Sequence, residues 1–175
     1  MQEQLSLSRL KRGKELRNDI IVKFEGKKML DGQIKKIPIR VGDGSIIKLF
    51  DKTPFPENPT DVVCPHFLEL KWANGCYFNC AWCYLQGTFR FRPMKKKPYL
   101  KDMNKIKSHL LSFFDNVKEG KYMLNSGELS DSLLFEHNGY ALSEHIIPLF
   151  VNQNQHKLLI LSKSSDIQKV LEWAP

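Results

Sequence analysis

Residues 67–86 read FLELKWANGCYFNCAWCYLQ and place three cysteines directly after an alternating apolar and polar run. In residues 67–72 apolar and polar side chains alternate, and the turn-forming run Ala-Asn-Gly at residues 73–75 ends the pattern. Alternation bounded by turn formers predicts a β-strand. The predicted strand leads directly into a loop that contains three cysteines.

The three cysteines of this loop, Cys76, Cys80 and Cys83, are separated by three and then two residues. A loop that curls back on itself can point three such sulfurs at one soft metal centre. Three thiolates bound to a cubane of four irons would leave one iron open to another ligand. The spacing therefore favours an iron–sulfur site.

Two other interpretations of the thiols stay open. A zinc site could combine the triplet with Cys64 as fourth ligand, and His66 is a further possible ligand. Structural zinc sites usually consist of two separated pairs of ligands, whereas here a compact triplet follows a lone Cys64. The second alternative is that the thiols bind nothing.

The composition is that of a globular protein, because 42% of the 175 residues are hydrophobic and 26% are charged. This length and composition support one packed core. Residues 1–18 are polar and basic and lack the pattern of a signal peptide. No stretch approaches the ~20 apolar residues that span a bilayer. Clustered reduced thiols without an export signal predict a cytoplasmic protein that has no membrane partner.

Positive charge is concentrated in the first part of the chain. Residues 1–101 carry 20 Lys and Arg against 10 Asp and Glu, net +10, and residues 102–175 carry 7 against 9, net −2. This imbalance indicates a polyanionic partner such as DNA or RNA. The alternative is a solvated basic face without a partner.

The densest basic run follows the cysteine loop and interleaves cations with Phe89 and Phe91. Its cations are Arg90, Arg92, Lys95, Lys96 and Lys97. Pro93 and Pro98 argue against a helix here. Basic groups with intervening aromatics can hold phosphates while stacking bases, so these five cations are candidate nucleic-acid contacts. Alternatively, the run is an exposed loop whose phenylalanines pack back into the core.

Turn-forming residues divide the chain into a β-rich N-terminal region and a core region. After an arm or helix at residues 1–18, we expect strands at residues 19–24, 36–41 and 45–50. The Gly-Asp-Gly run at residues 42–44 predicts a hairpin turn between the last two strands. Four prolines mark residues 51–66 as a connector. The predicted organisation is an N-terminal region at residues 1–64 and a core region at residues 65–175.

From residue 67 onward the predicted order is strand, loop, helix, strand, helix, strand, helix. The strands cover residues 67–72, 122–125 and 158–161, and the helices cover residues 103–117, 142–152 and 166–173. Ser143 resembles the first residue of a capping box. This alternation implies parallel strands with right-handed crossovers, an α/β fold. Ligands of such sheets gather at the carboxyl ends of the strands, where the cysteine loop, residues 126–131 and Ser162-Lys163 all fall.

The cysteine spacing resembles the signature of the radical SAM superfamily. The resemblance implies a [4Fe–4S] cluster on Cys76, Cys80 and Cys83, whose open iron chelates the amino and carboxylate groups of S-adenosylmethionine. One electron from a reductant such as flavodoxin or ferredoxin then releases a 5′-deoxyadenosyl radical. Trp82 occupies the family's aromatic position before the third cysteine and would contact adenine. The implied fold is the N-terminal half of a partial (β/α)6 TIM-like barrel, preceded by the small β-rich region.

Gly127 and Glu128 resemble the superfamily's second motif, a Gly-Glu turn at the end of the second strand. In the family this turn accepts hydrogen bonds from the amino group of S-adenosylmethionine, a role that suits a carboxylate. The family more often has two glycines before the glutamate, and this chain has Ser126 and Gly127. A glutamate at an ordinary surface turn is the alternative.

The runs CYLQ (residues 83–86), GELSDSL (residues 127–133) and LSK (residues 161–163) resemble the spore photoproduct lyase family. This likeness covers about residues 65–173. It implies that Ser130, Asp131 and Lys163 lie beside the cofactor and that Tyr84 lies near the radical path. Ser130 and Asp131 could instead cap the following segment, and Lys163 could face the solvent.

Two departures from that family limit what the resemblance implies. Its members have a cysteine two residues before the serine, and that cysteine donates hydrogen to the repaired thymine. In this chain the position is occupied by Glu128. A relative with a different substrate, which could be a nucleic acid, is therefore implied. The family barrel also has more strand–helix units than follow Cys76 here. We expect a truncated sequence or a split protein whose other half is on another chain, with a non-catalytic fragment as the remaining alternative.

Overall fold

The computed structural model describes residues 20–29, 31–50, 67–137 and 139–173. The predicted arm at residues 1–18 and the proline-rich connector at residues 51–66, with Cys64 and His66, lie outside this range. The described residues form a mixed α/β fold of eight strands and five helices. The strands are β1 Val22–Lys28, β2 Ile34–Val41, β3 Ile47–Leu49, β4 Leu68–Leu70, β5 Ala73–Asn74, β6 Tyr99–Leu100, β7 Met123–Asn125 and β8 Lys157–Leu159. The helices are α1 Leu85–Thr88, α2 Met103–Asn116, α3 Leu142–His145, α4 Ile147–Val151 and α5 Gln168–Leu171.

Six of the strands form one sheet in the order β1-β2-β3-β4-β7-β8. The three pairings from β1 to β4 are antiparallel. The pairings of β4 with β7 and of β7 with β8 are parallel, as the alternation of elements predicted. β5 and β6 form a separate two-stranded antiparallel sheet. The sheet is therefore antiparallel in its N-terminal part and parallel where the candidate site lies.

The N-terminal strands and the core region contribute to the same sheet. β3 pairs with β4 in the register Ile47↔Leu70, and the main-chain N–H of Lys71 donates to the Ile46 carbonyl at 2.7 Å. The predicted hairpin between β2 and β3 is present, with Gly42 and Gly44 at positive φ. Because β3 runs opposite to β4, this hairpin turn lies at the carboxyl end of β4.

One hydrophobic core lies between the sheet and α2. Ile106, Leu110 and Phe113 of α2 are fully buried against apolar side chains from β2, β3, β4 and β7. Asp102 begins the helix, because its side chain accepts a hydrogen bond from the Lys105 N–H. The predicted helix at residues 103–117 is therefore confirmed, and it covers one face of the sheet.

The two later helices are shorter than predicted. The expected helix at residues 142–152 is two short helices, α3 and α4, which meet at Ile146. Pro148 explains the break, because proline has no N–H to donate to the preceding turn. Ser143 does not cap α3: Ala141 is the capping position, and the Ser143 hydroxyl donates to the buried Glu136 carboxylate. Within the expected helix at residues 166–173 only α5 forms, a single turn.

Within the part of the chain that the structure describes, no helix combines the length and the apolar character that a transmembrane span requires.

Replacing Phe113 by alanine tests the position of the core. The Phe113 side chain is fully buried, so Phe113→Ala should lower the free energy of unfolding by about 3–5 kcal/mol. Phe91→Ala is the matched control, because Phe91 is 84% exposed and its loss should change stability by less than about 0.5 kcal/mol. Urea unfolding of the two variants measures both values. Equal losses of stability would contradict this core.

Candidate cofactor site

Parallel pairing brings the carboxyl ends of β4, β7 and β8 side by side. The pairing continues beyond the strands, because Gly75 forms a parallel bridge with Ser130 and its N–H donates to the Leu129 carbonyl at 2.8 Å. On the other side of β7, the N–H of Ser132 donates to the Leu161 carbonyl at 3.0 Å. The cysteine loop, residues 126–132 and residues 161–163 therefore lie at one edge of the sheet.

Gly75 lies between β5 and the cysteine loop and has a backbone conformation that favours glycine. It has a φ of +82°, and a Cβ at this position would lie 2.6 Å from the carbonyl oxygens of Lys96 and Lys97. The adjacent Cys76 N–H donates to the Lys96 carbonyl at 2.9 Å. Only glycine fits this conformation and this space. The entry to the cysteine loop is therefore fixed against the basic run that follows it.

The second half of the cysteine loop is a tight turn. The Cys83 N–H donates to the Cys80 carbonyl at 3.1 Å, and the Gln86 side chain donates to the same carbonyl at 2.7 Å. This turn keeps Cys80 and Cys83 close, and α1 begins directly after it. All three thiols are free; Cys76 is buried, and the other two are partly exposed.

The Cys76 thiol lies in a low-dielectric environment near a carboxylate. Burial raises the pKa of the Cys76 thiol, and the negative charges of Asp131 and Cys83 add to this effect. The main-chain N–H groups of Phe78 and Asp131 act in the opposite direction by hydrogen bonding to the sulfur.

Tyr84 connects the cysteine loop to the Gly-Glu turn. Its hydroxyl donates to the Glu128 carbonyl and lies 3.2 Å from the Glu128 Oε1. Burial of the hydroxyl raises the pKa of Tyr84, and the charge of Glu128 raises it further, so the phenol stays protonated and remains a donor. The family resemblance implies that Tyr84 lies near the radical path, and in the structure Tyr84 contacts Glu128.

Asp131 joins the loops that follow β7 and β8. Its carboxylate accepts hydrogen bonds from the Ser162 hydroxyl at 2.7 Å and from the Lys163 N–H at 2.6 Å. It also accepts from the Leu133 N–H at 3.0 Å, which is the capping role that the sequence left open. Both carboxylate oxygens are therefore used inside the protein, and Asp131 positions the loops around it.

The other residues predicted beside the cofactor differ in accessibility. Trp82 is 82% exposed, and the Lys163 side chain is exposed, so both are free to contact a bound molecule. Ser130 is buried, and its hydroxyl donates to the Asp131 carbonyl at 3.3 Å. Glu128 is partly exposed at the end of the central parallel strand.

Two serines support the Gly-Glu turn and were not singled out from the sequence. The hydroxyls of Ser126 and Ser132 lie 2.8 Å apart, and both are buried. Ser126 also donates to the Leu159 carbonyl at 3.0 Å, and Ser132 accepts from the Leu161 N–H at 3.0 Å. These contacts join the Gly-Glu turn to β8 and to the residues that follow β8. Their only sequence signal is that a serine stands at each side of the motif.

An ion pair between Glu69 of β4 and Lys71, the residue after this strand, was not predicted from the sequence. Glu69 is 3% exposed, and its carboxylate lies 2.9 Å from the Lys71 ammonium. Its neighbours in register are Lys48 on β3 and Asn125 on β7. Leu68 and Leu70 belong to the core, so alternation along the strand places Glu69 and Lys71 on the opposite face. A polar row thus crosses the face of the sheet that α2 does not cover.

The basic run splits into residues with different roles. It forms turns, as the prolines predicted, and Phe89 is buried while Phe91 is exposed. The Lys96 ammonium donates to the Phe78 carbonyl at 2.7 Å and lies 3.3 Å from the Asn79 Oδ1, so it supports the cysteine loop. The other four cations, Arg90, Arg92, Lys95 and Lys97, are exposed.

The donor set of the cysteine loop is three thiols, which are the donors that iron–sulfur clusters take in proteins. Four thiolates around zinc bind at about 2.3 Å, which brings their sulfurs within roughly 4 Å of one another. Among the described residues there is no group of three or more Cys, His, Asp or Glu side chains that could hold a metal ion. The irons of a cubane occupy separate corners, so their thiolates are spaced more widely. Three free thiols on one loop are the donors that such a cluster would take.

Gly127→Ala tests the close packing beneath the Gly-Glu turn. A Cβ at Gly127 would lie 2.5 Å from the Leu161 Cβ and 3.0 Å from the Leu161 carbonyl, so the backbone would have to shift. We expect the variant to lose about 1–3 kcal/mol of stability in urea unfolding. Gly87→Ala is the control, because the space around Gly87 is open and alanine favours the helix there. A Gly127→Ala variant as stable as Gly87→Ala would disprove the close approach.

The thiols should differ in reactivity in the metal-free protein. Because the Cys76 thiol is buried and its pKa is raised, we expect iodoacetamide at pH 7.5 to modify Cys80 and Cys83 before Cys76. Mass spectrometry of peptides taken over time gives the order. In a denaturant control all three thiols should react at similar rates. Cys76 reacting first in the folded protein would contradict this environment.

Comparisons with known proteins leave the function open. No protein-family model matches the chain, and no curated protein or solved structure matches it significantly. The features of the chain that bear on its function are the thiol triplet, the Gly-Glu turn and their common position at one edge of a parallel sheet.

Proposed function

We propose that this chain is a radical SAM protein of the spore photoproduct lyase-like family. In this proposal Cys76, Cys80 and Cys83 hold a [4Fe–4S] cluster, and S-adenosylmethionine binds at its open iron. The observation that carries the proposal is the meeting of three free thiols with the Gly-Glu turn at the carboxyl edge of adjacent parallel strands. Ligands of parallel α/β sheets bind at that edge.

The proposed fold is part of a (β/α)6 barrel. β4, β7 and β8 would be its first three strands, and the antiparallel strands β1–β3 extend the sheet on the other side. Among the described strands β8 pairs only with β7, so its other edge is available for a further strand. A second half of the barrel on another chain would fit there.

Each residue at the edge has a proposed task in cofactor binding. Glu128, which Tyr84 holds in place, would accept hydrogen bonds from the amino group of S-adenosylmethionine. Trp82 would contact the adenine, and Lys163 would contact the ribose or the carboxylate. Once bound, the cluster and cofactor would supply a 5′-deoxyadenosyl radical for hydrogen abstraction, while the protein binds, orients and excludes water.

The positive charge of the chain bears on the class of substrate. The net charge of +8 and the exposed cations beyond the cysteine loop support a polyanion such as a nucleic acid. Glu128 replaces the cysteine that serves thymine repair in the resembled family, so we propose hydrogen abstraction from a different substrate. An oxygen-sensitive cluster of this kind fits a reducing compartment such as the cytoplasm.

Anaerobic reconstitution with iron and sulfide tests the proposal. We expect a brown protein with about four irons per chain and a Mössbauer spectrum of a [4Fe–4S] cluster. With dithionite it should convert S-adenosylmethionine to 5′-deoxyadenosine and methionine. Cys80→Ala should lose the colour, whereas Cys64→Ala, which lies outside the proposed ligand set, should keep it.

The remaining outcomes separate the alternatives. A colourless protein that holds one zinc, and loses it in Cys64→Ala, would replace the proposal with a zinc-stabilised module. A brown protein that releases no 5′-deoxyadenosine would indicate a non-catalytic fragment of a split enzyme. Three thiols that bind neither iron nor zinc would overturn both metal sites.

A further inference from the structure

A row of positively charged side chains crosses the antiparallel part of the sheet. Lys23 of β1 lies opposite Arg40 of β2, and Arg40 lies opposite Lys48 of β3. All three residues are exposed. Residues directly opposite each other on neighbouring strands have Cβ atoms about 4.5–5.5 Å apart, so three positive charges stand next to one another. We call Lys23, Arg40 and Lys48 the cationic row.

The cationic row lies on the face of the sheet that α2 does not cover. Core residues flank Arg40 and Lys48 along their strands, namely Val41, Ile47 and Leu49. Because successive side chains of a strand point to opposite faces, Arg40 and Lys48 point away from that core. A Cβ at Gly44 would lie 3.4 Å from the Arg40 Cβ and 3.9 Å from the Lys48 Cβ. The two cationic side chains therefore begin side by side, against the hairpin turn.

Two carboxylates beside the cationic row are already paired with other lysines. Glu69 lies opposite Lys48 in register, but its carboxylate is 2.9 Å from the Lys71 ammonium. In the hairpin turn, the Asp43 carboxylate is 2.7 Å from the Lys105 ammonium. Neither carboxylate is therefore available to neutralise the row.

Within the residues that the structure describes, Arg40 and Lys48 form no ion pair, whereas Lys23 pairs with Glu25 at 3.1 Å. Like charges directly opposite each other destabilise a sheet. The repulsion between Arg40 and Lys48 is thus a stability cost that a bound anion would offset.

A cavity of about 250 Å³ lies at the cationic row. It is lined by all three members of the row, by Lys27 and Glu25, and by the apolar residues Ile39 and Leu49. Four cations and one carboxylate give the lining a net positive charge. The volume is just below the range of about 300–1,000 Å³ that holds drug-sized ligands, so it suits a smaller molecule.

We propose that the cationic row binds a compact multivalent anion, of the polyphosphate or polycarboxylate kind. The Arg40 guanidinium at the centre can donate two parallel hydrogen bonds to one phosphate or carboxylate group. The ammonium groups of Lys23 and Lys48 on either side can each donate to a further anionic group. This inference goes beyond the proposed function, because it requires no iron–sulfur cluster.

The short length of the row favours a compact anion over a nucleic-acid strand. The cations occupy three neighbouring strands, which lie about 4.8 Å apart, so the row spans roughly 10 Å. It ends at Glu69 on β4 on one side, and β1 is the last strand of the described sheet on the other. A single strand of nucleic acid occupies at least about four nucleotides on a binding surface, a longer path than this row offers.

Removing two charges of the row tests the proposal. The variant R40Q/K48Q replaces the charges by neutral polar side chains. The matched control, K121Q/K157Q, removes two exposed lysine charges near β7 and in β8. Because Arg40 and Lys48 repel each other, we expect R40Q/K48Q to unfold thermally at the wild-type temperature or above it.

Binding of tripolyphosphate is the primary measurement, by calorimetry at about 50 mM and about 300 mM sodium chloride. We expect one anion per chain, a dissociation constant at least about tenfold larger in R40Q/K48Q, and a change of less than about threefold in the control. Higher salt should weaken binding to the wild type, because exposed charges are screened. Orthophosphate, which cannot contact the whole row, should bind more weakly than tripolyphosphate.

Nuclear magnetic resonance of the wild type locates the anion without any substitution. On titration with tripolyphosphate we expect the largest shifts at the main-chain amides of residues 40, 44 and 48. Shifts confined to residues 90–97 would place the anion on the other basic segment and overturn the proposal.

The remaining outcomes identify the ligand or reject the site. A parallel titration with citrate distinguishes the two kinds of anion, because a phosphate site prefers tripolyphosphate and a carboxylate site prefers citrate. No binding of either anion, or equal affinity in R40Q/K48Q and the wild type, would overturn the proposal. Affinity for single-stranded oligonucleotides that rises with their length and is lost in R40Q/K48Q, without binding of the small anions, would assign the row to nucleic acid instead.

Discussion

Two parallel strand pairings determine where every loop of the candidate site lies. Leu68 pairs with Leu124 and Leu124 with Leu158, so three strands point in the same direction with their ends level. In this register the cysteine loop, the Gly-Glu turn and residues 161–163 leave the sheet at one edge. A shift by one residue would turn the polar row of Glu69 and Asn125 into the core.

Hydrogen bonds between loops then fix what the strands have brought together. Asp131 binds the loop after β8, Tyr84 binds the Gly-Glu turn, and Lys96 binds the cysteine loop. Two of these side chains had been assigned by resemblance to the cofactor or the radical path. Their contacts show a supporting role, which leaves Glu128, Trp82 and Lys163 as the groups that face outward. Such support is what holds a binding site in one geometry.

Local patterns in the sequence predicted the elements that depend on local physics. Apolar spacing predicted α2, glycines predicted the β2–β3 hairpin, and the order of elements predicted the parallel pairings. The long-range features could not be read in this way. The contact of Gly127 with Leu161, the Ser126–Ser132 pair and the pairing of β3 with β4 join distant residues, and no short-range pattern encodes them. The break at Pro148 is local in origin, because proline has no N–H to donate to the preceding turn.

The far side of β8 has a consequence for handling the protein. Its outward main-chain groups have no strand partner among the described residues, and Leu161, two residues after the strand, is 47% exposed. An open strand edge beside apolar side chains is a template onto which identical molecules can add. Self-association should therefore grow with concentration, and dilute samples should keep the protein monodisperse.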